Sequence, residues 1–585
     1  MSEPKPVGPH PGVPFERKFF DAEADFMTIG AAAVGGKAQG LAFVSTILES
    51  DFERAAFPDF SVAIPRMAVL ATDVFDLFME RNGLREVAGS DLPDDRIAHA
   101  FLKAEFPTEY LGDLRALISK INQPLAIRSS SLLEDALHHP FAGVYGTKMI
   151  PNNQPDISSR FQRLIEAIKF VYASTFFREA KAYISATNCR PEDEKMAVII
   201  QEVVGRRSGD RFYPAISGVG RSFNYYPVGK IRPADGVVNL ALGLGKTIVD
   251  GGRCWSYSPA FPRANPPYGS PRDLLKLTQV DFFAVNMGKP PAYDPIRESE
   301  FLVQSGLEEA ESDGNLKLIA ATYDGASDRV VPGIGQPGPR IINFAPILLY
   351  EQLPLNNLVR HLLELSREKV GAEVEIEFAV DIDPQRKEPA RLGFLQVRSQ
   401  ASSTSKVTID QAALAAREIV VYSETVLGNG EIDNIHDIVY VRPELFAARH
   451  SPAVAAEIEE LNRIMVAAAR PYLLIGFGRW GSSDPWLGIP VNWGQISAAR
   501  VIVEATLPEM NVEPSQGSHF FHNLTSFSVP YFSVAHGSRT ARINWPWLEH
   551  QAVVSESRFV RLVHSDQPLT VQVDGLQGLG VIHHG

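Results

Sequence analysis

The sequence predicts a multidomain α+β protein: a large mixed first part followed by a smaller α/β domain. The chain has 585 residues, more than one hydrophobic core accommodates at roughly 100–200 residues per domain. Its first 400 residues mix amphipathic helical stretches with short apolar runs that read as strands. A small, polar, unpatterned break, ASSTSK at 401–406, then separates them from about 180 residues of renewed helix and strand patterning. The expected segments are a flexible tail (1–16), two mixed parts (17–215 and 216–400), a linker (401–408) and the α/β domain (409–585).

From about 17 to 120 helical periodicity dominates, as in AQGLAFVSTILES after Gly36 and DVFDLFMERNGL from Asp73. PLAIRSSS (124–131) reads as a strand running into a Ser-rich turn, and 160–186 as one long amphipathic helix. KMAVIIQEVV (195–204) is a continuous apolar run, as expected of a buried strand. Residues 205–300 are rich in Gly, Pro and aromatics, which suits strands and loops, and 351–370 looks helical. VEIEFAVDI (374–382) and RLGFLQVRS (391–399) form a β-hairpin across the polar stretch 383–390. In the last domain, helices are expected over 409–418 and 452–470, with strands at DIVYV, PYLLIGF, ARVIVEA and VPYFSV.

The net charge is 56 − 69 = −13, which repels phosphate backbones and makes nucleic acid an unfavourable partner. An anionic ligand would need basic groups gathered in a cleft. Two cysteines, Cys189 and Cys254, make neither a disulfide framework nor a zinc site. No apolar run reaches the ~18–20 residues of a membrane span, and the N-terminus lacks a signal-peptide core, so a cytoplasmic location away from membranes is expected.

The hairpin is the sharpest feature. Glu373, Glu375 and Glu377 alternate with Val374, Ile376 and Phe378, and Gln396 and Arg398 alternate with Leu395 and Val397. Period two puts the polar set on one face. Such a hairpin is either a half-exposed element with cross-strand Glu–Arg pairs or a magnesium–nucleotide floor, with hard carboxylate ligands and a phosphoryl-neutralising Arg. Gly35-Gly36-Lys37 ahead of a helix is either a turn with a solvated Lys or an anion site. Arg128 leads into Ser131-Leu-Leu-Glu134, a capping-box pattern compatible with a phosphate contact. HHPFAGVYGTK (138–148) reads as a flexible loop able to cover phosphates. Gly243-Leu-Gly-Lys-Thr247 is not a P-loop, because the position five before Gly245 is Leu240. In the last domain, GRWGSSD (478–484) is either an anion-binding loop or a surface contact. SQGSHFFHNLT (515–525) holds His519 and His522, each either structural or a nucleophile.

Together these residues resemble the nucleotide-binding domain of phosphoenolpyruvate synthase and pyruvate, phosphate dikinase, over roughly 30–400. GGKAQGLA is similar to the family's GGKxxxLA, and LAIRSSSLLED with FAGVYGT to its VRSSxxxED…FAGxxxT. SGV (217–219), GLGKTIVDG, VEIEFAVD and LQVRS follow in the family's order. The resemblance implies an ATP-grasp-like fold, with 17–215 and 216–400 as its two parts, and ATP and Mg²⁺ as cofactors. It implies phosphate contacts from Lys37, Arg128 and Arg398, and an adenine hinge around Gln201, Glu202 and Val203. It implies metal or ATP contacts from Glu375, Glu377 and Gln396.

Two departures accompany it. Lys246 stands where the family has Glu in GLGE, and the residues after 405 are too few for the family's phosphoenolpyruvate/pyruvate barrel. GSHFFHNLTSFSVPYFSV (517–534) is similar in outline to the family's phosphohistidine motif, which implies His519 as a phosphoryl carrier with Arg398 and Arg128 as its catalytic arginines. The expected activity is an ATP-dependent phosphotransferase passing a phosphoryl group through a histidine to a separate protein or a small molecule. The alternative is a non-catalytic ATP-sensing or assembly subunit.

Overall fold

The computed structural model describes residues 13–584 except 16–24, 133–142, 187–193, 226, 228–229, 265–270, 272–273, 276–277, 401–408, 410–417, 483, 509, 511–519, 521–523, 525–528 and 576. The expected linker, nearly all of the helix at 409–418, and both His519 and His522 lie outside the described residues. The chain forms two compact units. The first comprises Met1–Arg221, Val238–Thr247 and Cys254–Ser399; the second comprises Ser222–Val237, Ile248–Arg253 and Gln400–Gly585.

The first unit holds two six-stranded sheets. One has the spatial order Val13–Pro14, Phe26–Ile29, Met67–Leu70, Met196–Glu202, Leu125–Ser131, Thr147–Ile150. The apolar run expected as a buried strand is Met196–Glu202, antiparallel to both neighbours. The other sheet runs Trp255–Tyr257, Val237–Ala241, Ile216–Arg221, Val374–Asp381, Ala390–Ser399, Phe60–Ala63. The expected hairpin is present as its fourth and fifth strands. Helix Gly36–Ser50 buries Ala38, Leu41, Val44, Ile47 and Leu48 at helical spacing and packs on strands of both sheets. One hydrophobic core runs through Leu41 and Val44 of this helix, Val69 and Ile199 of the first sheet, and Ile376 and Phe378 of the second. Fully burying one such side chain contributes roughly 1.5–3 kcal/mol.

Several expectations need correction. The region 17–120, where helical periodicity dominates, also contains three four-residue strands, Phe26–Ile29, Phe60–Ala63 and Met67–Leu70. Four residues carry too little alternation to declare a strand. The single helix at 160–186 is two, Ile157–Ser174 and Arg178–Ala186. Phe176 is buried and stacks on Phe75 at the break, and Asp94 Oδ1 accepts the Arg178 N–H at 2.8 Å, capping a new helix start. Of the expected loop at 138–148, residues 138–142 lie outside the described residues, 143–146 form no helix or strand, and only its end departs from the expectation. Thr147–Ile150 is a strand, and buried Lys148 pairs with Glu300 at 2.7 Å while donating to the Pro295 and Arg297 carbonyls.

The second unit is built on a ten-stranded sheet. Asn429–Val441, Tyr472–Phe477, Ala499–Ala505 and Tyr531–Val534 lie parallel, matching the four expected apolar runs. A parallel return needs a crossover, and helix Ser451–Ala467 supplies the first. Val560–Asp574 then pairs antiparallel with Asn429–Val441. Among the described residues no helix is long and apolar enough to cross a membrane.

Glu504 is fully buried in this unit, with the Tyr531 hydroxyl donating to its carboxylate. Burial pushes its carboxyl from 4.5 up to about 7, against the opposing effect of Tyr531 and Arg479. The folded state therefore keeps a proton that the unfolded chain releases, so stability falls as pH rises from about 4.5 to about 7 and then levels. Glu504→Gln is expected to abolish that fall and to raise stability at pH 8 by on the order of 3 kcal/mol. Denaturant midpoints at pH 5 and pH 8 check this; equal midpoints for variant and parent at pH 8 would refute it.

Candidate functional site

Helix Gly36–Ser50 starts at a glycine turn because its backbone presses on the first sheet. Gly35 has φ +77°, and a Cβ there would lie 1.7 Å from the Ser130 carbonyl oxygen. With no capping side chain of its own, the helix borrows one. Ser130 Oγ accepts the Ala38 N–H at 3.0 Å and donates to the Val34 carbonyl at 2.8 Å. Lys37, the second helical residue, is half-buried and donates to Ser129 Oγ at 3.3 Å. Ser131 closes the strand; the remainder of the capping-box pattern, with Glu134, lies outside the described residues.

Arg128 joins the two sheets. Its Nη1 donates to the Leu395 carbonyl at 2.9 Å and to Gln201 Oε1 at 3.3 Å. Its Nη2 donates to Gln396 Oε1 at 3.0 Å and lies 3.9 Å from Glu377 Oε2. Gln201 is thereby a buried support for Arg128. The backbone N–H groups of Glu202 and Val203 donate to the Arg66 and Pro124 carbonyls, both at 2.9 Å. Burial raises the Glu202 carboxyl above its ordinary range, with Arg66 opposing.

Across the hairpin Glu375 pairs with Arg398 and Glu377 with Gln396, with a bulge just beyond Glu377. The hairpin has the cross-strand Glu–Arg pair of the first reading but is not half-exposed, because Glu375, Gln396 and Arg398 are all buried. Arg398 donates to Glu375 Oε1 from Nε at 2.8 Å and from Nη2 at 2.5 Å. Arg221, opposite Glu375 in register, pairs with Oε2 at 2.5 Å. Arg398 Nη2 continues to Glu377 Oε1 at 3.4 Å. The result is an alternating ladder, Arg221–Glu375–Arg398–Glu377–Arg128, with formal charge 3 − 2 = +1. Buried charges persist only when paired in this way. Lys37 adds a further positive charge to the unit that holds this ladder.

Sequence reasoning missed Arg221. Its only signal was a cation ending the otherwise uncharged run ISGVG, and the register against Glu375 gives it meaning. Glu375 and Glu377 differ in kind. The Glu375 side chain is 0 % exposed and gripped by two guanidinium groups, whereas Glu377 is 15 % exposed. Among the described residues no group of three or more His, Cys, Asp or Glu is arranged to hold a metal ion. A cation here would take Glu377, Gln396 and oxygens brought by a phosphate ligand, which is how Mg²⁺ is commonly held. In the GLGK turn, Ser217 Oγ donates to the Gly243 carbonyl at 2.6 Å and the Lys246 ammonium lies 5.9 Å from the Phe283 ring centroid.

Residues 31–417 match the family model described as pyruvate phosphate dikinase, AMP/ATP-binding domain. No match to the chain is found among curated proteins. The matched span contains the glycine turn, Arg128 and the whole charge ladder, and it covers most of the 585 residues. The chain belongs to the family of the pyruvate phosphate dikinase and phosphoenolpyruvate synthase ATP-binding domain.

Proposed function

We propose that the chain is an ATP-dependent phosphotransferase that binds Mg-ATP at the glycine turn, Arg128 and the hairpin, and passes a phosphoryl group through a histidine of its second unit to a separate protein or small-molecule acceptor. The observation that carries this reading is Arg128, held across the two sheets by a carbonyl and two amide oxygens. These three acceptors are neutral, and the one carboxylate beside it, Glu377, stands off at 3.9 Å. Phosphate oxygens form stronger charge-assisted bonds with a guanidinium, so a triphosphate can compete for it.

In this reading Lys37, Arg128 and Arg398 bind the phosphates, with Ser129 orienting Lys37. Glu375, held on its other oxygen by Arg221, accepts from Arg398 and serves as its strut. Glu377 and Gln396 would hold Mg²⁺, with Glu375 behind them. Bound there, Mg²⁺ neutralises charge on the phosphate oxygens. At the hinge segment Gln201–Val203 the adenine edge falls to backbone carbonyls, because the Glu202 and Val203 N–H groups already have acceptors. The sequence-expected carrier, His519, lies outside the described residues.

Arg128→Ala is expected to weaken Mg-ATP binding roughly 10- to 100-fold, the cost of a hydrogen bond to a charged group at ~1.5–3 kcal/mol. Titration calorimetry with Mg-ATP measures it, and an unchanged Kd would remove the arginine from the site. Tight ATP binding with neither turnover nor an acid-labile phosphoryl group on the chain would replace the enzyme reading with an ATP-sensing or assembly subunit.

A further inference from the structure

A second cluster of charged and nucleophilic side chains stands in the second unit, where Asn429–Val441 pairs with Val560–Asp574. Asp437 lies opposite His564, and the ladder resumes only at Ile435 opposite Leu569, so Ser565–Pro568 bow out of the pairing. Such irregularities re-aim side chains. The Asp437 side chain is 4 % exposed; it accepts from Arg470 Nε at 2.8 Å, from Arg470 Nη2, and from His564 Nδ1 at 2.9 Å. His436 stacks on His564, with ring centroids 5.5 Å apart and planes at 18°, and its Nδ1 lies 3.0 Å from the Ser565 carbonyl oxygen.

A carboxylate paired with a guanidinium only accepts hydrogen bonds, so His564 Nδ1 carries the hydrogen. In the neutral ring the lone pair then resides on Nε2. That atom has no hydrogen-bond partner among the described residues, and the side chain is 38 % exposed. An oriented imidazole with an exposed lone pair, backed by a buried carboxylate, is built as a nucleophile.

We propose that His564 Nε2 is a phosphoryl acceptor, a modification site supplied by a nucleoside triphosphate; the proposal rests on the phosphotransferase reading above. The Nε2 lone pair forms the N–P bond while the P–O bond to the departing nucleotide breaks, and that electron pair leaves on the nucleotide oxygen. Nδ1 keeps its proton. The ring becomes a cation, and Asp437, 2.9 Å from Nδ1, compensates it. Arg470, bound to the same carboxylate on the Nδ1 side of the ring, holds Asp437 in place. His436 has only a backbone carbonyl at its Nδ1, so the same step there leaves a ring cation facing a neutral acceptor.

Two measurements on the full chain test this. Phosphoramidate phosphorylates accessible neutral imidazoles without nucleotide. Peptide mapping is expected to find phosphate on His564 first, and roughly tenfold more slowly in Asp437→Asn, where the carboxylate behind the ring is gone. Equal labelling of the exposed histidines, or an unchanged rate in Asp437→Asn, overturns the proposal. With ATP labelled at the β- or γ-phosphorus, acid-labile label is expected on the parent chain and on His436→Ala but not on His564→Ala. Label lost in His519→Ala and kept in His564→Ala overturns the assignment while leaving the phosphotransferase reading intact. No label on the parent chain, with His564 still the first site of phosphoramidate, overturns ATP as the donor and the reading beneath it.

Discussion

Glu375→Ala is expected to destabilise the first unit by about 3–5 kcal/mol, the cost of removing one partner from a buried ion pair. Arg221, 0 % exposed, and Arg398, 6 % exposed, would then face each other with nothing between them, three strands deep in one sheet. Both cations would lose the carboxylate they share, leaving Arg398 with Glu377 at 3.4 Å, and neither can move out without tearing the pairing of Ile216–Arg221 with Val374–Asp381. Glu375→Gln keeps the shape and an acceptor oxygen but loses the charge, so its loss should be smaller. Urea unfolding followed by far-ultraviolet circular dichroism gives the difference. A Glu375→Ala midpoint indistinguishable from the parent would mean that the ladder does not hold these strands.

Arg398→Ala should lower ATP-dependent phosphoryl transfer by a factor of about 10³ or more, the scale of a positioned arginine in such reactions. Its fold should survive, because Glu375 keeps Arg221 as a partner at 2.5 Å. The two substitutions therefore separate two properties of one ladder: the first removes stability and the second removes rate. Arg398→Lys should recover little, since a point-charge ammonium cannot reproduce the Nε and Nη2 bonds to Glu375. ATP consumption by the folded variant within tenfold of the parent would take Arg398 out of the chemistry.

The hairpin was legible because Val374–Phe378 and Leu395–Arg398 alternate apolar and polar residues, and Gly36–Ser50 because five apolar positions recur at helical spacing. Phe26–Ile29 and Phe60–Ala63 were not legible, because they become strands only through pairing with Met67–Leu70 and Ala390–Ser399, far along the chain. For the site, residue types could be read but not their division of labour. Glu375 and Glu377 look alike on alternate positions of one strand. What separates them is Arg221 on a neighbouring strand more than 150 residues earlier, and register is invisible to local pattern. The Asp437–His564 pair was hidden for the same reason: it is created by an irregular ladder between distant strands.

The two units exchange chain at 221/222, 237/238, 247/248, 253/254 and 399/400. No single cut therefore separates the two units. A fragment ending at 399 would carry Ser222–Val237 and Ile248–Arg253 away from the body they pack into, including the Gly251 and Gly252 carbonyls that accept from Arg479 Nη1 at 3.1 and 3.3 Å. On a ribosome the first unit's polypeptide is all made before residues 400–585 of the second. The two excursions thus leave the ribosome long before the body they pack into, and the second unit is completed only when residues 400–585 have been made.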